Sequence, residues 1–325
     1  MFSSLKLEKI KMSHLKEKHF TFHSKDQRKI FVYFWYREGI TPKGIVQISH
    51  GMAETAARYK DFARELTQNG FFVYANDHRG HGKSADSPEE QGYLGEEDGF
   101  ELLVLDIKKL TKIIRKNHPT IPIYLFSHSM GSFAAQKYIM DDADRIDGLI
   151  LSGSNGKQGF ILSVGKILSK IEMIFRGKKA KSKFMNQITF GQYNKNFQPE
   201  ITGVEWLTRD KNEQIKYLNN PYCGSIFPAS FYYEFFSHLQ YIENKKNFDK
   251  IPKDLPIYIL SGDEDPVGDF GRGVQNLKKR YKKQGVKDLN MKLYEGARHE
   301  LLNEINRAEV MEDIILWLDK RLEES

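Results

Sequence analysis

The run PIYLFSHSMGSFAAQKYIM, residues 122–140, takes an apolar strand through a corner of small residues directly into a helix. A chain that turns this way needs a sheet to hold the strand, small neighbours to pack through the corner, and a helix behind it. Ser129 stands at the corner, with Gly131 two residues on. Such a strained strand-to-helix turn lifts a serine oxygen above the edge of the sheet, where it can attack a carbonyl. The amino end of the helix adds a favourable field, and the Met130 N–H can donate to the negative oxygen of a tetrahedral intermediate. Taken alone the pattern reads S-x-S-x-G, with Ser127 in place of the first glycine of G-x-S-x-G. Two serines before a helix can equally be caps, so partners elsewhere in the chain decide.

The rest of the chain supplies a sheet. Residues 18–24 and 28–36 alternate as an antiparallel opening pair, and 44–49, 71–75, 121–126 and 146–152 are short strand-like runs. Helical spacing lies between them, over 56–68, 100–116 and 132–140. The rhythm resumes with strand 255–260, helix 273–284, strand 289–294 and helix 308–322. Strands alternating with helices predict an α/β fold, a mostly parallel central sheet with helices on both faces. The interval 153–250 breaks the rhythm. It reads as a helix over 160–175, a basic Gly/Lys/Ser loop, irregular polar and aromatic sequence, and a helix over 231–240. We expect a helical cap inserted between a first core part, 1–152, and a second, 251–325, above the strand ends where such folds place their sites.

A serine hydroxyl is a weak nucleophile without a base, and the base needs an orienting carboxylate. In sheets of this kind the order along the chain is Ser, then acid, then His, each after a later strand. The strand-and-loop IYILSGDEDPVGD, 257–269, offers Asp263, Glu264 and Asp265, and KLYEGARHELLNE, 292–304, carries His299 just before the last helix. Asp265 ahead of Pro266 could be a turn acid, but three residues of the right type fall in order at the right element ends. The loop after strand 44–49 makes the Met52 N–H the candidate second donor to an oxyanion, beside that of Met130. His50 reads as a hydrogen-bonding residue that shapes this loop, and Asp77, His78 and Arg79 as a polar brace. The remaining histidines show no ligand spacing for zinc, so the site calls for no metal and no cofactor.

Charge is uneven. The net charge is +7, and residues 155–200 hold nine Lys or Arg against Glu172 and Glu200, an excess equal to the whole. Beside an apolar helix this points away from nucleic acid. The helix 160–175 carries Ile161, Val164, Ile167, Leu168, Ile171, Ile174 and Phe175. That stripe either packs onto the domain beneath or rests on an anionic lipid surface, with the lysines of GKKAKSK on head groups. The aromatic cluster FYYEFF, 231–236, either lines an acyl tunnel or packs a core. One cysteine, Cys223, and a polar basic start without a signal-like apolar run favour the cytoplasm, with membrane contact at most peripheral. Met12 is an alternative start, making the first eleven residues dispensable.

With these residues placed, the chain resembles the monoacylglycerol lipase and lysophospholipase group of α/β-hydrolases, also called serine aminopeptidase-like hydrolases. HGMAE at 50–54, RY at 58–59, NDHRGHGKS at 76–84, SHSMGS at 127–132, SGDEDPV at 261–267 and YEGARHE at 294–300 carry the resemblance; the cap does not share it. The resemblance implies Ser129 as nucleophile, Asp265 rather than Asp263 as acid, His299 as base, and the Met52 and Met130 amides as oxyanion hole. It implies lipid monoesters as substrates, and we expect them to be cleaved through an acyl-enzyme on Ser129; the residues themselves call for no obligatory protein partner. The alternatives are a general carboxylesterase on small soluble esters and a non-catalytic receptor using the same pocket.

Overall fold

Unbroken apolar runs become strands here because both faces of the sheet they join are covered. The computed structural model describes residues 14–324; the alternative start at Met12 and the residues before it lie outside them. The strands are β1 (Leu15–His23), β2 (Lys29–Arg37), β3 (Gly44–Ser49), β4 (Phe71–Asn76), β5 (Ile123–His128), β6 (Gly148–Ser152), β7 (Ile257–Gly262) and β8 (Leu289–Tyr294). They form one sheet in the order β1-β2-β4-β3-β5-β6-β7-β8. β1 and β2 pair antiparallel, as does β2 with β4, and every later pairing is parallel.

Helices α1 (Lys60–Gln68), α2 (Gly99–Asn117) and α3 (Met130–Asp142) lie between the early strands. Between β6 and β7 come α4 (Ile161–Arg176), α5 (Lys183–Phe190), α6 (Lys211–Asn219), α7 (Ala229–Glu243) and the single turn α8 (Lys245–Phe248). Helices α9 (Arg272–Gln284) and α10 (Arg307–Glu323) follow β7 and β8. The period of two along each strand divides the interior. Ile123, Leu125, Leu149, Leu151, Ile257 and Ile259 face α2, α3 and α9. Tyr124, Phe126, Ile150, Tyr258 and Leu260 face α1 and α10. This is the α/β arrangement expected from the alternation, with strand ends displaced by at most three residues.

The segment between β6 and β7 differs from its reading in two respects. Stretches taken as irregular contain α5 and α6. Local polar chemistry starts both: Ser182 Oγ accepts the Met185 N–H at 2.9 Å, and Asp210 accepts those of Asn212 and Glu213. They bury little apolar surface, Met185 in α5 and Gln214 and Tyr217 in α6, so hydrophobic periodicity could not reveal them. Second, of the apolar stripe of α4 only Leu168 packs against the core. The helix meets α7 through Leu162, Gly165 and Ser169 and leaves Ile161, Val164, Ile167, Ile171, Ile174 and Phe175 exposed, Ile174 at 70% and Phe175 at 83%. Three of the four lysines of GKKAKSK turn back toward the core, and Lys183 is exposed. Lys178 donates to the Glu96 carbonyl at 2.5 Å, Lys179 pairs with Glu90 at 3.1 Å, and Lys181 bonds the Gln91 carbonyl. Phe231, Tyr232 and Phe235 of FYYEFF are buried in the core shared with α2 and α3, not in a tunnel. No helix among the described residues is long and apolar enough to cross a membrane.

Candidate active site

Ser129 sits between β5 and α3 with φ 50° and ψ −120°, a conformation that costs a non-glycine residue about 1–3 kcal/mol. Neighbours on all sides impose it. The Ser129 N–H donates to the Ser152 carbonyl of β6 at 2.9 Å, and its own carbonyl receives the Ser132 N–H at 2.8 Å and the Ser132 hydroxyl at 2.6 Å. A Cβ on Gly131 would fall 2.3 Å from the Ser49 carbonyl oxygen, so only glycine lets α3 leave the corner against β3. Ser127 fits in place of a glycine because its buried hydroxyl donates to the Ile150 carbonyl at 2.8 Å.

The three residues singled out by chain order meet. His299 Nε2 lies 2.9 Å from Ser129 Oγ, and His299 Nδ1 lies 3.0 Å from both carboxylate oxygens of Asp265. The Val267 N–H, at 2.8 Å, and the Ser261 hydroxyl, at 3.3 Å, orient that carboxylate. A carboxylate accepts only, so Nδ1 carries the proton and Nε2 is left to accept from the serine. Burial opposes charge on His299, but the adjoining Asp265 outweighs it, and the imidazole pKa stands above its ordinary value. The loops close together because Gly262 has no side chain: a Cβ there would sit 1.9 Å from the Ala297 carbonyl oxygen. Asp263 and Glu264 point elsewhere, Glu264 toward Arg298 at 3.9 Å. The His128 ring lies 4.7 Å from that of His299; burial, then the neighbouring imidazole, push its pKa down to about 4.

The loop carrying Met52 is pinned peptide by peptide. The Gly51 N–H donates to Glu54 Oε1 at 2.5 Å. His50 accepts the His78 N–H at Nε2, 2.9 Å, so its Nδ1–H donates to the Gly51 carbonyl, 2.8 Å away. That carbonyl and the Met52 N–H belong to one trans peptide and point oppositely. Met52 and Ser129 border the same cavity, and neither the Met52 nor the Met130 N–H meets a protein acceptor among the described residues. Ala53 next to it adopts φ 54°, which costs an alanine roughly 1–2 kcal/mol. The expected brace is present: Asp77 accepts from Thr55, the Ala56 N–H and the Lys83 N–H, and fully buried Arg79 binds Asp26 and Asp106.

Two features escaped the sequence reading. Arg58 joins the oxyanion loop to the histidine loop: it bonds Glu54 at 2.8 Å and forks onto Glu300 with both contacts at 2.6 Å. Burial alone would raise the Glu300 carboxyl, but Arg58 holds it at about 2. Glu54 and Arg58 stand four residues apart and were visible as a pair; Glu300 lies 242 positions from Arg58 and was not. The segment between β6 and β7 also reaches the site. The Trp206 ring lies 5.2 Å from the imidazole, and the Trp206 and Leu207 carbonyls accept the His299 and Glu300 N–H groups. A cavity of about 510 Å³ opens over Ser129, lined above by Gln187, Phe190, Val204, Trp206 and Leu218. Among the described residues no group of three His, Cys, Asp or Glu side chains is arranged to hold a metal. The arrangement can activate a hydroxyl, stabilise an oxyanion and hold a medium-sized ester.

Known proteins share this architecture. The sequence profile of the family described as Serine aminopeptidase, S33 matches residues 40–306. The monoglyceride lipase of Homo sapiens is 28% identical over 300 residues, 91% of this chain and 88% of that protein. The monoacylglycerol lipase of Mycolicibacterium smegmatis is 26% identical, covering 90% and 93%. Among solved structures, a thermostable carboxyl esterase from Bacillus coagulans, in complex with glycerol, superposes with a TM-score of 0.86 at 28% identity, over 94% of this chain and 99% of that one.

Proposed function

The chain belongs to the Serine aminopeptidase, S33 family and is a carboxylic ester hydrolase; from that premise we propose that it cleaves fatty-acyl monoesters, monoacylglycerols or lysophospholipids, through an acyl-enzyme on Ser129. The unbroken contact from Asp265 through His299 to Ser129, at 3.0 and 2.9 Å, carries the reading. Ser129 Oγ attacks the ester carbonyl carbon while His299 Nε2 takes its proton. The carbonyl oxygen becomes an oxyanion held by the Met52 and Met130 N–H groups. The intermediate collapses, the imidazolium protonates the leaving alcohol, and Ser129 keeps the acyl group. Water, deprotonated by the same imidazole, attacks that carbonyl and releases the acid and the free serine. Asp265 keeps the base in its working tautomer and stabilises the imidazolium.

Two observations favour lipid monoesters. The curated relatives cited above are lipases of monoglycerides, and α4 presents a continuous apolar face outward, suited to lying on the surface from which such substrates come. A general carboxylesterase on small soluble esters is the second reading, favoured by the likeness to the Bacillus coagulans carboxyl esterase. Ser129→Ala is expected to lose fluorophosphonate labelling and ester hydrolysis with an unchanged melting temperature. A chain-length series from acetyl to oleoyl glycerol separates the readings. Full activity in Ser129→Ala overturns the nucleophile, and a preference for acetyl over long acyl groups overturns the lipid assignment.

A further inference from the structure

The oxyanion loop has three ties, and one comes from outside the core. His50 and Glu54 hold the peptides on either side of Gly51 from within the loop. The third tie is on the far side of Met52, at Ala53, the residue forced into positive φ. Its carbonyl receives the Tyr217 hydroxyl of α6 at 3.2 Å and the Gly224 N–H at 3.0 Å. The same tyrosine lays its ring over the Arg58 guanidinium, 5.0 Å from centroid to carbon, and Arg58 carries Glu54, the acceptor of the Gly51 N–H. One side chain therefore touches both outer supports of the loop.

We propose that Tyr217 is a positioning residue for the oxyanion hole: its hydroxyl holds Ala53 in the left-handed conformation that keeps the Met52 N–H aimed over Ser129, so the inserted segment takes part in transition-state stabilisation. The proposal rests on the Ser129 ester-hydrolase reading. It follows from what each group can do. An alanine leaves positive φ unless something holds it there; a loop free to relax at residue 53 turns the Met52–Ala53 peptide, and through Met52 it loosens the Gly51–Met52 peptide that carries the donor, leaving that peptide to the His50 tie alone. A donor aimed at the developing oxyanion acts in the transition state more than in the bound substrate. Tyr217 should therefore govern kcat rather than KM.

The test uses the full-length enzyme and a short soluble ester, so that binding to a lipid surface plays no part. Tyr217→Phe keeps the ring over Arg58 and removes the hydroxyl; we expect kcat to fall about three- to tenfold, well short of deleting a donor outright, with KM within twofold. Tyr217→Leu, which also loses the ring, should fall further. In an Ala53→Gly background the left-handed conformation needs no support, so Tyr217→Phe should cost less than twofold relative to Ala53→Gly alone. A boronic acid, whose tetrahedral adduct places an oxygen in the same hole, should lose affinity in step with kcat. A raised KM with unchanged kcat would make Tyr217 a substrate contact and overturn the proposal, as would equal losses in both backgrounds or no change. Circular dichroism and melting curves exclude misfolding as the source of a loss. If the wild-type enzyme hydrolyses no ester, the ester-hydrolase reading has failed; if it does and Tyr217→Phe matches it, only this inference has.

Discussion

His299 is buried in the protein, and burial alone would drive its proton off. The Asp265 carboxylate 3.0 Å away reverses that preference. A base must be neutral to act, so ester hydrolysis should rise with pH through the imidazole pKa. The acid limb of kcat/KM, which reports the free enzyme, should then lie above the ordinary imidazole value of about 6.5. Asp265→Asn keeps the shape, removes the charge and can reverse the tautomer. It should move that limb downward and reduce kcat by roughly 10³- to 10⁴-fold. A wild-type limb below the ordinary value, or one unmoved by Asp265→Asn, would contradict the assigned pair. Ser127 gives a smaller lesson at the same scale. Its departure from glycine is harmless because the buried hydroxyl meets the Ile150 carbonyl, an acceptor supplied by the neighbouring strand.

Among the elements, α4 leaves a row of six large apolar residues uncovered by protein, Ile161, Val164, Ile167, Ile171, Ile174 and Phe175. Ile167 and Ile171 stand 59% and 46% exposed, and burying an isoleucine side chain is worth roughly 1.5–3 kcal/mol when complete. If this face enters a bilayer surface, Ile167→Asp with Ile171→Asp should weaken vesicle binding at least tenfold. Hydrolysis of short soluble esters should stay unchanged, since neither residue borders the cavity over Ser129. The neighbouring run keeps part of its charge: Lys178 and Lys179 face Glu96 and Glu90, whereas Lys181 bonds a neutral carbonyl and Lys183 is exposed. Anionic vesicles should therefore bind more tightly than neutral ones, by a margin that added salt reduces. Failure of the wild-type protein to sediment with either kind of vesicle would end this reading of α4.

At the scale of the molecule, four buried imidazoles set an acid limit to stability. Burial first, then neighbouring histidines, hold His78 well below its usual pKa, His81 at about 3 and His128 at about 4. Burial likewise holds His238 at about 4. Below about pH 6.5 the unfolded chain takes up protons that the folded one refuses, so stability falls as pH drops toward those folded values. His299 has the opposite sign: its contribution is full below the unfolded value and fades as pH rises through the folded one. Glu234, whose carboxyl burial raises to about 7, sides with His299; four imidazoles still oppose these two, so the melting temperature should fall from pH 7 to pH 4.5. A flat profile over that range would show that these rings are not held neutral. The order of strands and helices, the corner at Ser129 and the acid and histidine at later strand ends were all legible in the sequence, because period, turn chemistry and chain order are local properties. Helices α5 and α6 were not, since each starts from a polar cap and buries almost nothing apolar. The outward face of α4, the Arg58–Glu300 fork and the contact of Tyr217 with Ala53 were beyond reading too. Whether an apolar stripe is covered, and which charge meets which across hundreds of positions, depends on how finished elements pack, and only the tertiary structure decides that.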